Sequence, residues 1–318
     1  MPRSGYPAVV IAGPTASGKS ALALALAREF HGEIVSCDAL QVYRGMDRGT
    51  AKPSPEERDS LPHHMIDLTP PSQAFSAGEY LRRGREVLKD IRNRGRLPFV
   101  VGGTGFYLRA LIEGLFEGPG RSEPLRARMR RIAERRGPAT LHRALSRIDA
   151  STAARLAPAD LGRIVRAYEV YLLTGKPMSS WQTQQSKPIE GFCWLKLGIE
   201  WPRELLYRRI EERVERMFET GFVEEVRELL RQFPEGSPAF KAIGYRQIID
   251  YLRGDKTLAQ AVEETKLESR RYAKRQLTWF RADGEIVWLN AARADEDLLG
   301  EARRKVLEFT RIRSAKIR

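Results

Sequence analysis

Apolar positions along this chain fall into two patterns that alternate. Short apolar runs bounded by polar turns, at residues 9–12, 33–38 and 97–101, predict strands, and the Ala- and Leu-rich stretch after the first run carries the longer spacing of a helix. Two later runs, 192–200 and 285–289, predict that the strand pattern resumes. Strands alternating with helices imply an α/β fold, a parallel sheet flanked by helices, whose ligands gather beyond the carboxyl ends of the strands. Those ends are polar here. The first run enters a glycine-rich turn, the second ends in Asp38, and the third enters Gly102-Gly103-Thr104-Gly105, so these turns are expected to converge on one crevice.

From about residue 117 to 190 the pattern changes to amphipathic helix, broken at Gly118-Pro119, Gly137-Pro138 and Gly175-Lys176-Pro177. This predicts an inserted all-helical subdomain, with the polar segment 182–188 as the linker back to the core. The expected division is a core over 1–116, an insertion over 117–190 and the rest of the core over 191–318. Helices are expected at about 202–233 and 257–281 in that last part.

Composition narrows the class. The chain has 318 residues and only two cysteines, Cys37 and Cys193, with no CxxC pair, so neither a disulfide framework nor a structural zinc site is indicated. No apolar stretch reaches the length of a membrane span, and the first residues lack a signal-peptide pattern, so a soluble, cytoplasmic protein is expected. Without coiled-coil heptads the expected state is a monomer. The 55 Lys plus Arg exceed the 41 Asp plus Glu, a formal charge of +14 that calls for an anionic partner larger than one nucleotide. Arginines cluster at 126–136 and again, with Lys274, at 270–281. Interspersed acids leave open the plainer reading, solvated helix faces.

The turn after the first strand is Gly13-Pro14-Thr15-Ala16-Ser17-Gly18-Lys19-Ser20, a phosphate-binding P-loop. Its glycines let backbone amides turn onto phosphate oxygens, Lys19 adds a point charge, and the Ser20 hydroxyl is placed to hold Mg²⁺ at the positive end of the following helix. A P-loop ATPase normally has a strand ending in an acid that organises hydrolysis. Here the third predicted strand ends in Gly-Gly-Thr-Gly, which favours an enzyme that binds a phosphate compound while another group reacts. Asp38 is then the general-base candidate; its alternative role is a turn or N-cap residue. The adjacent pair His63-His64 has no carboxylate at zinc-site spacing, and a structural role is expected of it. Trp279 and Phe280, at a helix end, are read as core packing rather than base-stacking residues.

These motifs, together with Asp38-Ala39-Leu40-Gln41-Val42-Tyr43-Arg44-Gly45-Met46-Asp47, Gly49-Thr50-Ala51-Lys52-Pro53, Pro62-His63-His64-Met65-Ile66-Asp67, Ala242-Ile243-Gly244-Tyr245-Arg246 and Lys274-Arg275-Gln276-Leu277-Thr278-Trp279-Phe280-Arg281, resemble the tRNA dimethylallyltransferase family almost end to end. The resemblance implies transfer of a dimethylallyl group from dimethylallyl diphosphate to the exocyclic amine of the adenosine 3′ to the anticodon. It places Asp38 as the base, Thr104 beside adenine or diphosphate, and Arg213 on the diphosphate with the P-loop. It also implies that Asp38, Ala39, Leu40 and Gln41 approach the flipped base. Gly162, Arg163, Ile164, Val165 and Arg166, with Lys241, Ala242, Ile243, Gly244, Tyr245 and Arg246, would grip the anticodon stem-loop. Arg126 would stand where the substrate enters. Gly162 departs from the pattern, which commonly has Gln there. Arg275 and Arg281 are further candidates for tRNA contact. Two rivals use the same residues differently: a small-molecule kinase using ATP, and a nucleic-acid-binding protein with a regulatory P-loop and no turnover.

Overall fold

The computed structural model describes residues 5–116, 118–182, 187–292 and 297–317, with side chains described as far as residue 311. Glu117 and most of the predicted linker, residues 183–186, lie outside the described residues. Strands are β1 (Tyr6–Ala12), β2 (Gly32–Ser36), β3 (His63–His64), β4 (Leu97–Gly102), β5 (Phe192–Glu200) and β6 (Val287–Asn290). Among the described residues they form one six-stranded sheet in the order β3-β2-β4-β1-β5-β6, and every pairing is parallel. The predicted α/β sheet is therefore present. The strand of the glycine turn is fourth in chain order rather than third, because His63 and His64 add an edge strand in register with Ile34 and Val35.

Alternation along the strands divides the core. Ala8, Val10 and Ala12 of β1 join Val35 and Val100 on one face, where they meet Tyr80, Leu88 and Ile91 of α3 (Ala77–Asn93) and Leu108 and Leu111 of α4 (Gly105–Glu113). Val9 and Ile11 point the other way, with Ile34 and Phe99, onto Leu22 and Leu26 of α1 (Lys19–Glu29). A period of two on the strand and buried positions on both faces are what a parallel sheet covered by helices requires. The short α2 (Pro55–Ser60) starts with a capping box from Ser54 and Glu57.

Two compact units are resolved: residues 1–112 with 189–318, and residues 113–188. The second contains α5 (Glu123–Arg136), α6 (Pro138–Ile148), α7 (Ala150–Arg155), α8 (Leu161–Thr174) and α9 (Met178–Gln182), packed on a core that includes Met129, Leu141, Leu145, Ile164 and Val170. In the first unit the helical stretch expected over 202–233 is two helices, α10 (Arg203–Glu219) and α11 (Phe222–Gln232). Gly221, at φ +96°, adopts the left-handed backbone that separates them. After α12 (Tyr245–Leu252), α13 (Leu258–Arg281) is capped by Thr257 and Gln260, and α14 (Leu298–Ile317) follows β6. No helix among the described residues is long and apolar enough to cross a membrane.

Candidate active site

A cavity of about 370 Å³ lies at the carboxyl ends of β1, β2 and β4, and Thr15, Lys19, Ser20, Asp38, Gln41 and Arg213 are among its lining residues. The glycine-rich turn has P-loop geometry. Ala16 and Gly18 take positive φ, 62° and 90°, so the chain curls and α1 begins at Lys19 with its first amides unpaired by the helix. Lys19 Nζ donates to the Pro14 carbonyl at 3.1 Å, folding its side chain back over the loop. From α10, Arg209 donates to the Ala16 carbonyl at 3.0 Å and Arg213 to the Thr15 hydroxyl at 2.9 Å. An adjoining pocket takes in Ala16, Ser17 and Gly18 and shares Lys19, Ser20 and Arg213.

Asp38 leaves β2 in a tight turn. Its Oδ1 accepts the amides of Leu40 at 2.8 Å and Gln41 at 3.4 Å, which fixes the carboxylate at the cavity wall. The turn and cavity roles thus coincide in one residue. Among the described residues no hydrogen bond reaches Oδ2. The Thr104 hydroxyl accepts the Ala39 amide at 3.0 Å and so ties the glycine turn to the Asp38 turn. This close approach needs Gly102, where a Cβ would stand 2.0 Å from the Cys37 carbonyl. Gln41 Oε1 accepts from the Ser36 hydroxyl at 2.7 Å, and its Nε2 donates to the Thr50 carbonyl at 3.4 Å.

Electrostatics mark the ligand. Burial, and then the neighbouring Arg213 charge, lower the Lys19 pKa to about 8 against the opposing pull of Asp38. Burial likewise pushes Arg213 down, with Asp38 opposing. Among the described residues neither cation has a carboxylate within ion-pair distance. Two enclosed positive groups with no carboxylate at ion-pair distance among the described residues are suited to a polyanion. The donor set for a metal is sparse and hard: no cluster of three His, Cys, Asp or Glu exists among the described residues, and the Ser20 hydroxyl stands at the helix start. That fits Mg²⁺ held by one or two protein oxygens together with a ligand's phosphates, and it does not fit an all-protein cage.

Other predicted residues divide by exposure. Lys241, Arg246, Gly162, Arg163, Arg275 and Arg281 are exposed, and Lys241, Ala242 and Ile243 line the cavity. Tyr245 is buried in the α11/α12 core, with its hydroxyl donating to Glu225 Oε1 at 2.7 Å, and Gly244 is buried beside it. Ile164 and Val165 lie in the core of the helical unit. The side chains of Tyr245, Ile164 and Val165 therefore pack against protein, while Gly162, Arg163, Lys241 and Arg246 of the same segments are exposed. Arg126 and Arg166 converge on the buried Glu169: Arg126 bonds both carboxylate oxygens at 2.9 Å, and Arg166 donates to Oε2 at 2.5 Å. Their charge is spent inside the unit. Arg281 is paired with Glu200 at 2.5 Å. Phe280 is core as expected, whereas Trp279 is 40% exposed, edge-on to the exposed Phe106 with Arg109 over its ring.

A family model described as IPP transferase matches residues 41–283. The chain belongs to the IPP transferase family. A tRNA dimethylallyltransferase of Koribacter versatilis (strain Ellin345) is 50% identical to it over 293 residues, which cover 92% of this chain and 95% of the relative. Among solved structures, the tRNA isopentenylpyrophosphate transferase of Bacillus halodurans is 37% identical with a TM-score of 0.69, covering 96% of this chain and 98% of its own. A eukaryotic dimethylallyltransferase acting on tRNA is 27% identical with a TM-score of 0.80, covering 96% of this chain and 80% of its own. The sheet of this IPP transferase family member is accordingly a P-loop NTPase-like fold.

The sequence reading of this IPP transferase family member gave no role to the cavity-lining face of α13. Tyr272 and Gln276 of α13 both line the cavity. Burial, and then the Asp38 charge, raise the Tyr272 hydroxyl to about 12, with the Thr104 hydroxyl bond opposing. The usable signal was helical spacing: Thr265, Ser269, Tyr272 and Gln276 recur every three or four residues and define one face of α13.

Proposed function

We propose that this chain transfers the dimethylallyl group of dimethylallyl diphosphate to the exocyclic amine of the adenosine 3′ to the anticodon in tRNA, with Asp38 as the base. The observation that carries the reading is the placing, in one cavity of an IPP transferase family member, of a fixed carboxylate together with two cations that have no carboxylate at ion-pair distance among the described residues. Lys19, Arg213 and the amides at the start of α1 receive the diphosphate, and the Ser20 hydroxyl would hold Mg²⁺. The chemistry that a metal held by Ser20 would supply is neutralisation of charge on the leaving diphosphate.

Adenine's exocyclic nitrogen is a weak nucleophile because its lone pair is delocalised into the ring, so its proton must leave as the new bond forms. In this reaction the allylic carbon–oxygen bond breaks, the carbon–nitrogen bond forms, the amine proton passes to Asp38, and the electron pair of the broken bond leaves on diphosphate. Lys19 and Arg213 favour the step because charge accumulates on the phosphate oxygens as the bond breaks. The target base must be drawn out of the anticodon loop to reach the cavity, where Ala39, Leu40 and Gln41 meet its edge. Arg163, Lys241, Arg246 and Arg275 are the exposed cations proposed to hold the stem-loop. The chain is proposed to act as a monomer in the cytoplasm.

Incubation of the full chain with Mg²⁺, dimethylallyl diphosphate and an anticodon stem-loop, followed by nucleoside mass analysis, should yield dimethylallyl-adenosine. Lys19→Met should raise the KM for dimethylallyl diphosphate about tenfold or more while leaving stem-loop affinity unchanged. ATP consumption with no prenylated nucleoside would overturn the reading.

A further inference from the structure

The P-loop and the glycine turn are joined by one side chain of α13. Gln276 Oε1 accepts the Thr15 amide at 2.9 Å, and its Nε2 donates to the Gly103 carbonyl at 2.8 Å. The residue is 6% exposed. Gly103 permits the approach, since a Cβ there would stand 2.1 Å from Gln276 Nε2. Thr15 is also the residue whose hydroxyl accepts from Arg213 at 2.9 Å. A chain of contacts therefore runs from the glycine turn through Gln276 and Thr15 to the cation facing Asp38.

We propose that Gln276 is a positioning residue of the donor site, holding Thr15, and with it the P-loop and Arg213, in the geometry that receives diphosphate. It acts through these groups and not on the reacting atoms. A carboxamide suits the task because it presents one acceptor and one donor in a single plane, matched to an amide and a carbonyl on two different loops. Methionine has nearly the same length but serves neither partner, and asparagine is a methylene too short to span both. The Thr15 amide is committed to Gln276, so the phosphate oxygens are left to the amides at the start of α1 and to Lys19 and Arg213. The inference rests on the donor-site reading above.

The test is binding of inorganic diphosphate with Mg²⁺ to the full chain, by calorimetry, for wild type, Gln276→Met and Gln276→Asn, with melting temperature and stem-loop affinity measured in parallel. Both variants should bind diphosphate at least tenfold more weakly. The KM for dimethylallyl diphosphate should rise by a similar factor, with stem-loop affinity within twofold of wild type. Should Gln276→Met fail to fold, Gln276→Asn, which keeps a polar group in the pocket, carries the test. Unchanged diphosphate affinity in a folded variant would overturn the proposal. Equal losses of diphosphate and stem-loop affinity would also overturn it, because they would mark a general structural role. Wild type that binds no diphosphate would bring down the donor-site reading itself, and the inference with it.

Discussion

Lys19 and Arg213 show how a residue's neighbours set its use. Each is a cation enclosed by protein, and among the described residues the hydrogen bonds they donate go to neutral oxygens, the Pro14 carbonyl and the Thr15 hydroxyl. Such groups gain most from an incoming anion. Tyr245 shows the converse. It stands in a motif that resembles an RNA-contact segment, yet its ring is packed edge-on to Phe222 and its hydroxyl is bonded to Glu225, which also accepts the amides of Asp47, Arg48 and Gly49. Tyr245→Phe should lower stability by about 1 kcal/mol and leave stem-loop affinity unchanged. Denaturant unfolding beside a binding titration checks both. The burial was legible in part: Tyr245, Ile248 and Ile249 share the buried face of α12 at helical spacing. The motif alone did not separate the packed from the exposed positions.

At the scale of elements, the strands with continuous apolar runs were readable and the edge strand was not. β1, β4 and β5 are buried on both faces, and burial of that kind forces a recognisable run. β3 is two histidines whose place comes from pairing with β2 and from His64 Nε2 bonding Glu33 at 2.7 Å, contacts that no local pattern encodes. The bridging role of Gln276 was hidden for the same reason, since its partners Thr15 and Gly103 are remote in sequence. In the helical unit, α5 and α8 are locked by Glu169. Burial opposes its ionisation, but the bonds from Arg126, the Ser122 amide and Arg166 outweigh it and bring the pKa from 4.5 to about 2. A carboxylate held below its unfolded value contributes stability that is fully present above about pH 4.5 and is lost as pH falls toward 2. Glu169→Ala should remove this acid sensitivity and destabilise the unit by about 3–5 kcal/mol, because two partly buried arginines are left facing each other. Thermal melts of wild type and variant across that pH range test the claim. An unchanged pH dependence in the variant would refute it.

For the whole molecule, the excess of positive charge and the family assignment agree on an RNA partner. Part of that charge is internal, as at Arg126 and Arg166, so the count of exposed cations matters more than the total of +14. Stem-loop affinity should still fall about tenfold or more between 50 and 200 mM salt, as contacts to several phosphates require. Lys241→Ala or Arg275→Ala should make that slope shallower, and a slope unaffected by either would place the RNA elsewhere. The account as a whole turns on whether Asp38 removes the amine proton in the cavity that holds the diphosphate. Single-turnover prenylation of an anticodon stem-loop, with Mg²⁺ and saturating dimethylallyl diphosphate, should be slower in Asp38→Asn by about 10²–10⁴-fold with stem-loop and diphosphate affinities preserved. Prenylation by the variant at the wild-type rate would contradict it.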